Sequence, residues 1–136
     1  MKKYELLEHT SELKLKIYGK RLEEIFENCA LAFSDIISRG KKVKKNKIKE
    51  IEISGKDFES LMYNFIEELI YLLDAENLIV SSAKVKVDKN KLNADIYCDS
   101  ADNYKNLDYI KSATYAEMYI RQKKDKTWEA QVVVDV

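Results

Sequence analysis

Two stretches of this chain place their apolar residues three and four apart, and nearly every other apolar run alternates. In residues 21–38, Leu22, Ile25, Phe26, Cys29, Ala30, Phe33, Ile36 and Ile37 follow the helical period. In residues 58–74 the same period is kept by Phe58, Leu61, Met62, Phe65, Ile66, Leu69, Ile70 and Leu73. A period near 3.6 lines up one apolar face on a helix and cannot do so on a strand. Elsewhere the period is two: Leu13, Leu15 and Ile17; Ile51 and Ile53; Val85 and Val87; then Leu92, Ala94, Ile96 and Cys98. Residues 110–121 and 128–134 alternate as well. Each of these runs predicts a half-buried strand.

Punctuation between the runs is consistent with that reading. Gly19 ends the first alternating strand, and Gly40 follows the first helical stretch as a stop. Six lysines in residues 41–49 form a basic turn leading into the strand Glu50-Ile51-Glu52-Ile53. Gly55 breaks that strand, and Asp57 can cap the second helix through its carboxylate. Residues 88–91 and 122–127 are polar turns, and residues 99–108 are a polar loop. The predicted order is one or two strands, a helix, a strand, a helix, then a run of strands joined by short turns. That order implies an α+β chain, with a mostly antiparallel β-sheet packed with two amphipathic helices. At 136 residues, the chain is expected to form a single domain over residues 1–136.

Charge narrows the function classes. Lysine and arginine number 24, matched by 24 aspartates and glutamates, so the formal net charge is zero. A domain whose main work is gripping nucleic-acid phosphates carries a basic excess. The lysine run is then first a solvated turn, and its rival reading is a local RNA grip. The amino terminus lacks the apolar core of a signal peptide, and the longest apolar segment, FIEELIYLL, is broken by Glu67 and Glu68. No membrane association and a cytoplasmic location are the expectations. Cys29 falls on a helical apolar face and Cys98 in a strand, both read as small buried residues.

Enzyme signatures are sparse. Three glycines cannot build a glycine-rich phosphate cradle, and no GxSxG, HExxH or Cys/His cluster occurs. The chain holds one histidine, His9, and a lone histidine beside a strand is ordinarily a packing residue. The same plain reading makes Glu12 a solvated acid and Asp135 an idle one near the chain end. What remains is hard-cation chemistry through oxygens. Glu12 opens the first alternating strand and Asp135 closes the last. Were those strands antiparallel neighbours, the two acids would meet.

Four separated blocks, in order, resemble the archease family. EHTSELKLKIYGKRLEEIFENCALAF is similar to its opening, where a histidine-threonine pair precedes an acid, a strand, a glycine and an amphipathic helix. DFESLMYNFIEELIYLLDAENL resembles its central helix, and IKSATYAEMYI and WEAQVVVDV its last two strands. The resemblance implies an accessory protein rather than an enzyme. It would activate the RtcB-type RNA ligase of tRNA splicing by promoting ligase guanylylation and turnover. tRNA would be met only through the ligase, and the chain would have no small-molecule substrate of its own.

The resemblance also implies a divalent-cation site, with calcium as the expected ion, held by Glu12, Asp135 and Val136. Val136 would contribute a main-chain oxygen or a terminal carboxylate. His9 would orient the loop, and Thr10 and Lys111 would face the partner or hold the site's shape. This chain departs from the family pattern twice. Glu12 stands where aspartate is usual, and Ala116 where histidine is frequent. A longer carboxylate is compatible with calcium, whose coordination is flexible, and less so with magnesium. Two other readings stand beside this one: a metal-free protein-binding module that has lost the family activity, and a small RNA-binding protein using Lys41 to Lys49.

Overall fold

The structure, a computed structural model, describes residues 1–8 and 11–136. Strand β1 (Tyr4–Glu8) leads to β2 (Glu12–Gly19) and helix α1 (Leu22–Ser38). Strand β3 (Lys47–Ser54) and helix α2 (Phe58–Glu76) follow. The remainder is β4 (Leu78–Asp88), β5 (Lys91–Ser100), a short 3-10 turn (Ala101–Asn103), β6 (Ser112–Gln122) and β7 (Trp128–Asp135). This is the expected α+β chain, with the two amphipathic helices where their periodicity predicts them.

Local chemistry sets the helix ends. The Asp57 carboxylate accepts from the Ser60 main-chain N–H at 2.7 Å, and the Asp57 N–H donates to Ser60 Oγ at 3.1 Å. This reciprocal pair satisfies two N–H groups that the first turn leaves without helical partners. Hydrogen bonds from the Ser60 N–H and from the Ser60 side chain hold the Asp57 carboxyl below its ordinary value. Helix α1 starts without a side-chain cap, but Glu23 and Glu24 lie in its first turn, where the helix dipole favours acids. Both helices close on a left-handed residue, Arg39 at φ 57° and Asn77 at φ 56°.

Gly55 lies against the start of α2. A Cβ there would sit 2.5 Å from Ser60 Oγ and 2.8 Å from the Leu61 main-chain nitrogen. The nitrogen belongs to the helix backbone and cannot step aside. Gly55→Ala is therefore expected to cost roughly 1–3 kcal/mol through overpacking, measured by urea unfolding.

The strands do not share one sheet. β1-β2-β7-β6 form a four-stranded antiparallel sheet, and β3-β5-β4 form a separate antiparallel three-stranded one. Each helix packs on strands of both sheets: α1 on β2 and β4, α2 on β6, β4 and β3. One contiguous core results. Leu15 and Ile17 from the first sheet, Leu92 and Ile96 from the second, and Phe26, Phe33, Leu61 and Phe65 from the helices all belong to it. No described helix is long and apolar enough to cross a membrane.

The lysine-rich connector is pinned rather than merely solvated. Val43 is buried, and its carbonyl accepts from Ser81 Oγ at 2.7 Å. The Lys44 N–H donates to the Tyr104 hydroxyl at 2.8 Å, and Asn46 Nδ2 donates to the Asp99 carboxylate at 3.1 Å. Asp99, only 2% exposed, also accepts from the Tyr104 hydroxyl at 2.8 Å. Burial opposes its charge, but hydrogen bonds from Tyr104, Asn46, Asn103 and the Ser100 N–H outweigh that and hold its carboxyl below the ordinary value.

A depressed folded-state pKa contributes stability above the ordinary value of 3.8, and that stability is lost as pH falls through the folded value. Unfolding free energy should therefore drop between pH 5 and about 2. The drop should be shallower in Asp99→Asn, which denaturant titrations across that range would measure.

Candidate functional site

Strands β2 and β7 run antiparallel side by side, and their register sets Glu12 directly opposite Asp135. The Val136 N–H donates to the Ser11 carbonyl at 3.3 Å. That bond flanks the Glu12–Asp135 pair, which makes it the close type of antiparallel pair, with Cα atoms roughly 4.5 Å apart and both side chains on one face. The face follows from the alternation. Leu13, Leu15 and Ile17 turn toward the helices, so Glu12 and Asp135 stand on the opposite face, both half-buried.

Asp135 is braced from its other side by β6. Ser112 is its register partner there, and Ser112 Oγ lies 3.2 Å from Asp135 Oδ2 as donor. The Lys111 main-chain N–H donates to the Asp135 carbonyl at 2.8 Å. Three strands thus converge on one acid. The Lys111 side chain itself is exposed and borders a groove of about 750 Å³ along α2, whose walls include Glu67, Glu68, Tyr71 and Asp74.

Of the residues expected at the site, Glu12 and Asp135 come together, Val136 follows them in an exposed position, and Lys111 braces Asp135 through its backbone. His9 and Thr10 lie outside the described residues.

The structure adds neighbours that sequence reasoning did not raise. Strand β6 breaks register with β7 between Thr114 and Tyr119. Glu117, in the resulting bulge, has a left-handed backbone at φ 54°. Its carboxylate meets Lys14 Nζ at 2.9 Å, and Lys14 shares the Glu12 face of β2. Ala116, the second departure noted in the sequence, sits exposed in the same bulge, its N–H 3.3 Å from Thr114 Oγ1. A bulge usually announces itself with glycine or asparagine, and the segment Tyr115-Ala116-Glu117-Met118 contains neither. Ser112 could have been found only by knowing the strand order.

The donors here are all oxygens: two carboxylates on one face, a serine hydroxyl and nearby main-chain carbonyls. That chemistry suits a hard divalent cation, which takes 6–8 oxygens in the case of calcium. Among the described residues no group of three or more His, Cys, Asp or Glu side chains gathers as a metal site. A cation at this pair would therefore keep open positions. Thiol chemistry is disfavoured: both cysteines are free and buried, and burial pushes the Cys29 thiol up to about 12.

Residues 4–136 match the sequence profile of the Archease protein family (MTH1598/TM1083). The chain is 39% identical to protein archease of Pyrococcus abyssi (strain GE5 / Orsay), with all of both chains covered. It is 34% identical to protein archease of Methanosarcina barkeri (strain Fusaro / DSM 804), covering 99% of this chain and 97% of that one. The solution structure of Methanobacterium thermoautotrophicum protein 1598 superposes with a TM-score of 0.81 at 29% identity over the whole of both chains. The chain belongs to the archease family.

Proposed function

We propose that this protein assists an RtcB-type RNA ligase, promoting guanylylation of the ligase's histidine and its turnover, with the Glu12–Asp135 pair as its working edge. Family membership supports an accessory role. The observation that supports the finer reading is the cross-strand pairing of two half-buried acidic residues whose side chains share one face. Carboxylates that approach each other on one face repel, and a cation shared between them would relieve that repulsion.

In this reading the cation is calcium, and when bound it supplies positive charge against the phosphates of the reacting nucleotide. The chain's own residues hold and orient. Glu12 and Asp135 project on one face from hydrogen-bonded strands, which hold their backbones side by side. Ser112 restrains the Asp135 carboxylate, and Lys111 restrains its backbone. Val136 offers a main-chain oxygen beside them. The open coordination positions suit ligands from the partner ligase, whose nucleotide and tRNA stay with the ligase. His9 and Thr10 precede Glu12 and are proposed to orient and present this edge. A cytoplasmic setting agrees with the two free, buried cysteines.

The test is a guanylylation assay: substoichiometric native protein should accelerate formation of the ligase–GMP adduct, and the acceleration should vanish when divalent cations other than those of the ligase are chelated. Unchanged adduct formation would remove this reading. A second reading is a metal-free docking module. Ligase stimulation that is indifferent to calcium would select it.

A further inference from the structure

Away from the acidic edge, a cleft of about 740 Å³ opens between the start of β1, helix α1, the 41–46 connector and β4. Its charge is lopsided. Lys3, Lys41, Lys42, Lys44 and Lys45 line it against a single carboxylate, Asp35. That carboxylate is already engaged by the Tyr4 hydroxyl. In a chain of zero net charge, such a concentration is a local feature and not a reflection of composition.

Two lysines have other contacts. Lys41 Nζ reaches the Lys105 carbonyl, and Lys45 Nζ lies 5.3 Å from the centre of the Tyr97 ring. Lys3, Lys42 and Lys44 pair with no carboxylate among the described residues. The backbone that carries Lys42 and Lys44 is fixed, because buried Val43 anchors the segment between them and the Lys44 N–H is tied to Tyr104. Ammonium groups of like sign are thus gathered by the fold, with Asp35 the one carboxylate lining the cleft among the described residues.

We propose that this cleft binds a discrete polyphosphate anion, held by the ammonium groups of Lys3, Lys42 and Lys44. Lysines act on phosphate as point charges and need no bidentate geometry. The cleft is the size of a small-ligand site. A groove for single-stranded nucleic acid offers a row of aromatic faces for stacked bases. This cleft is lined by one aromatic ring, Tyr4, whose hydroxyl is committed to Asp35. The proposal does not depend on the Glu12–Asp135 edge.

Calorimetric titration with inorganic tripolyphosphate in metal-free, low-salt buffer tests it, with a ten-residue oligouridylate as the competing probe. Tripolyphosphate is expected to saturate one site. Lys42→Gln combined with Lys44→Gln should weaken it at least tenfold, with added salt weakening the native complex in the same direction. Absence of saturable binding, or binding insensitive to these substitutions, would overturn the proposal. So would an oligouridylate that saturates the cleft where tripolyphosphate does not.

Discussion

Asp135→Asn is expected to remove both the response to calcium and the stimulation of a partner ligase. The native protein should melt higher with calcium than without it. A ligand at a hundred times its dissociation constant adds about 2.7 kcal/mol, which for a chain of this length is on the order of 10 °C. The variant loses one of two anionic donors and should show little or no such shift. Without calcium the order is expected to reverse: in the proposed site the native pair brings two like charges together, so the variant should melt as high as the native chain or higher. Asparagine keeps an oxygen for Ser112 Oγ, which in the native chain donates to Asp135 Oδ2 at 3.2 Å, so the fold is preserved. Ligase guanylylation at limiting protein should drop at least tenfold, equivalent to ~1.4 kcal/mol or more of lost coupling. A variant that still responds to calcium and still drives guanylylation would end the cation reading of this edge.

Phe65→Ala should be the most damaging single truncation in the core. Phe65 is fully buried in the middle of α2, and its ring meets Phe26 of α1 edge-on, with centroids 5.7 Å apart and planes at 86°. The substitution removes the transfer free energy of the ring, leaves a cavity at the junction of the two helices, and breaks the aromatic pair. Together these amount to roughly 3–5 kcal/mol, enough to exhaust much of the stability of an ordinary domain. Urea unfolding with an unchanged m-value would show the loss directly. A loss below about 1 kcal/mol would mean that the helices repack freely.

The periodicity of the sequence determined which segments are helices and which are strands, because side-chain direction repeats locally at 3.6 or 2 residues. The apolar faces of residues 21–38 and 58–74 are the buried faces of α1 and α2, and the alternation of Leu13, Leu15 and Ile17 correctly names the inward side of β2. Asp57 capping α2 was legible for the same reason: its partner Ser60 is three residues away. Strand β1 was harder to read, since Tyr4–Glu8 carries Leu6 and Leu7 in succession, one on each face of an edge strand.

Only the tertiary structure decided that the strands divide between two sheets with the helices packed on both. Alternation says that one face of a strand is buried and is silent about which strand lies beside it. It also decided the bulge at Glu117 and the anchoring of the lysine connector through Val43, which rest on contacts between distant segments. The acids of the candidate site show the division best. The sequence by itself put Glu12 at the start of one strand and Asp135 at the end of another. Their meeting depends on β2 and β7 being antiparallel neighbours in one particular register, and a slip of one residue would send one of the two carboxylates to the opposite face.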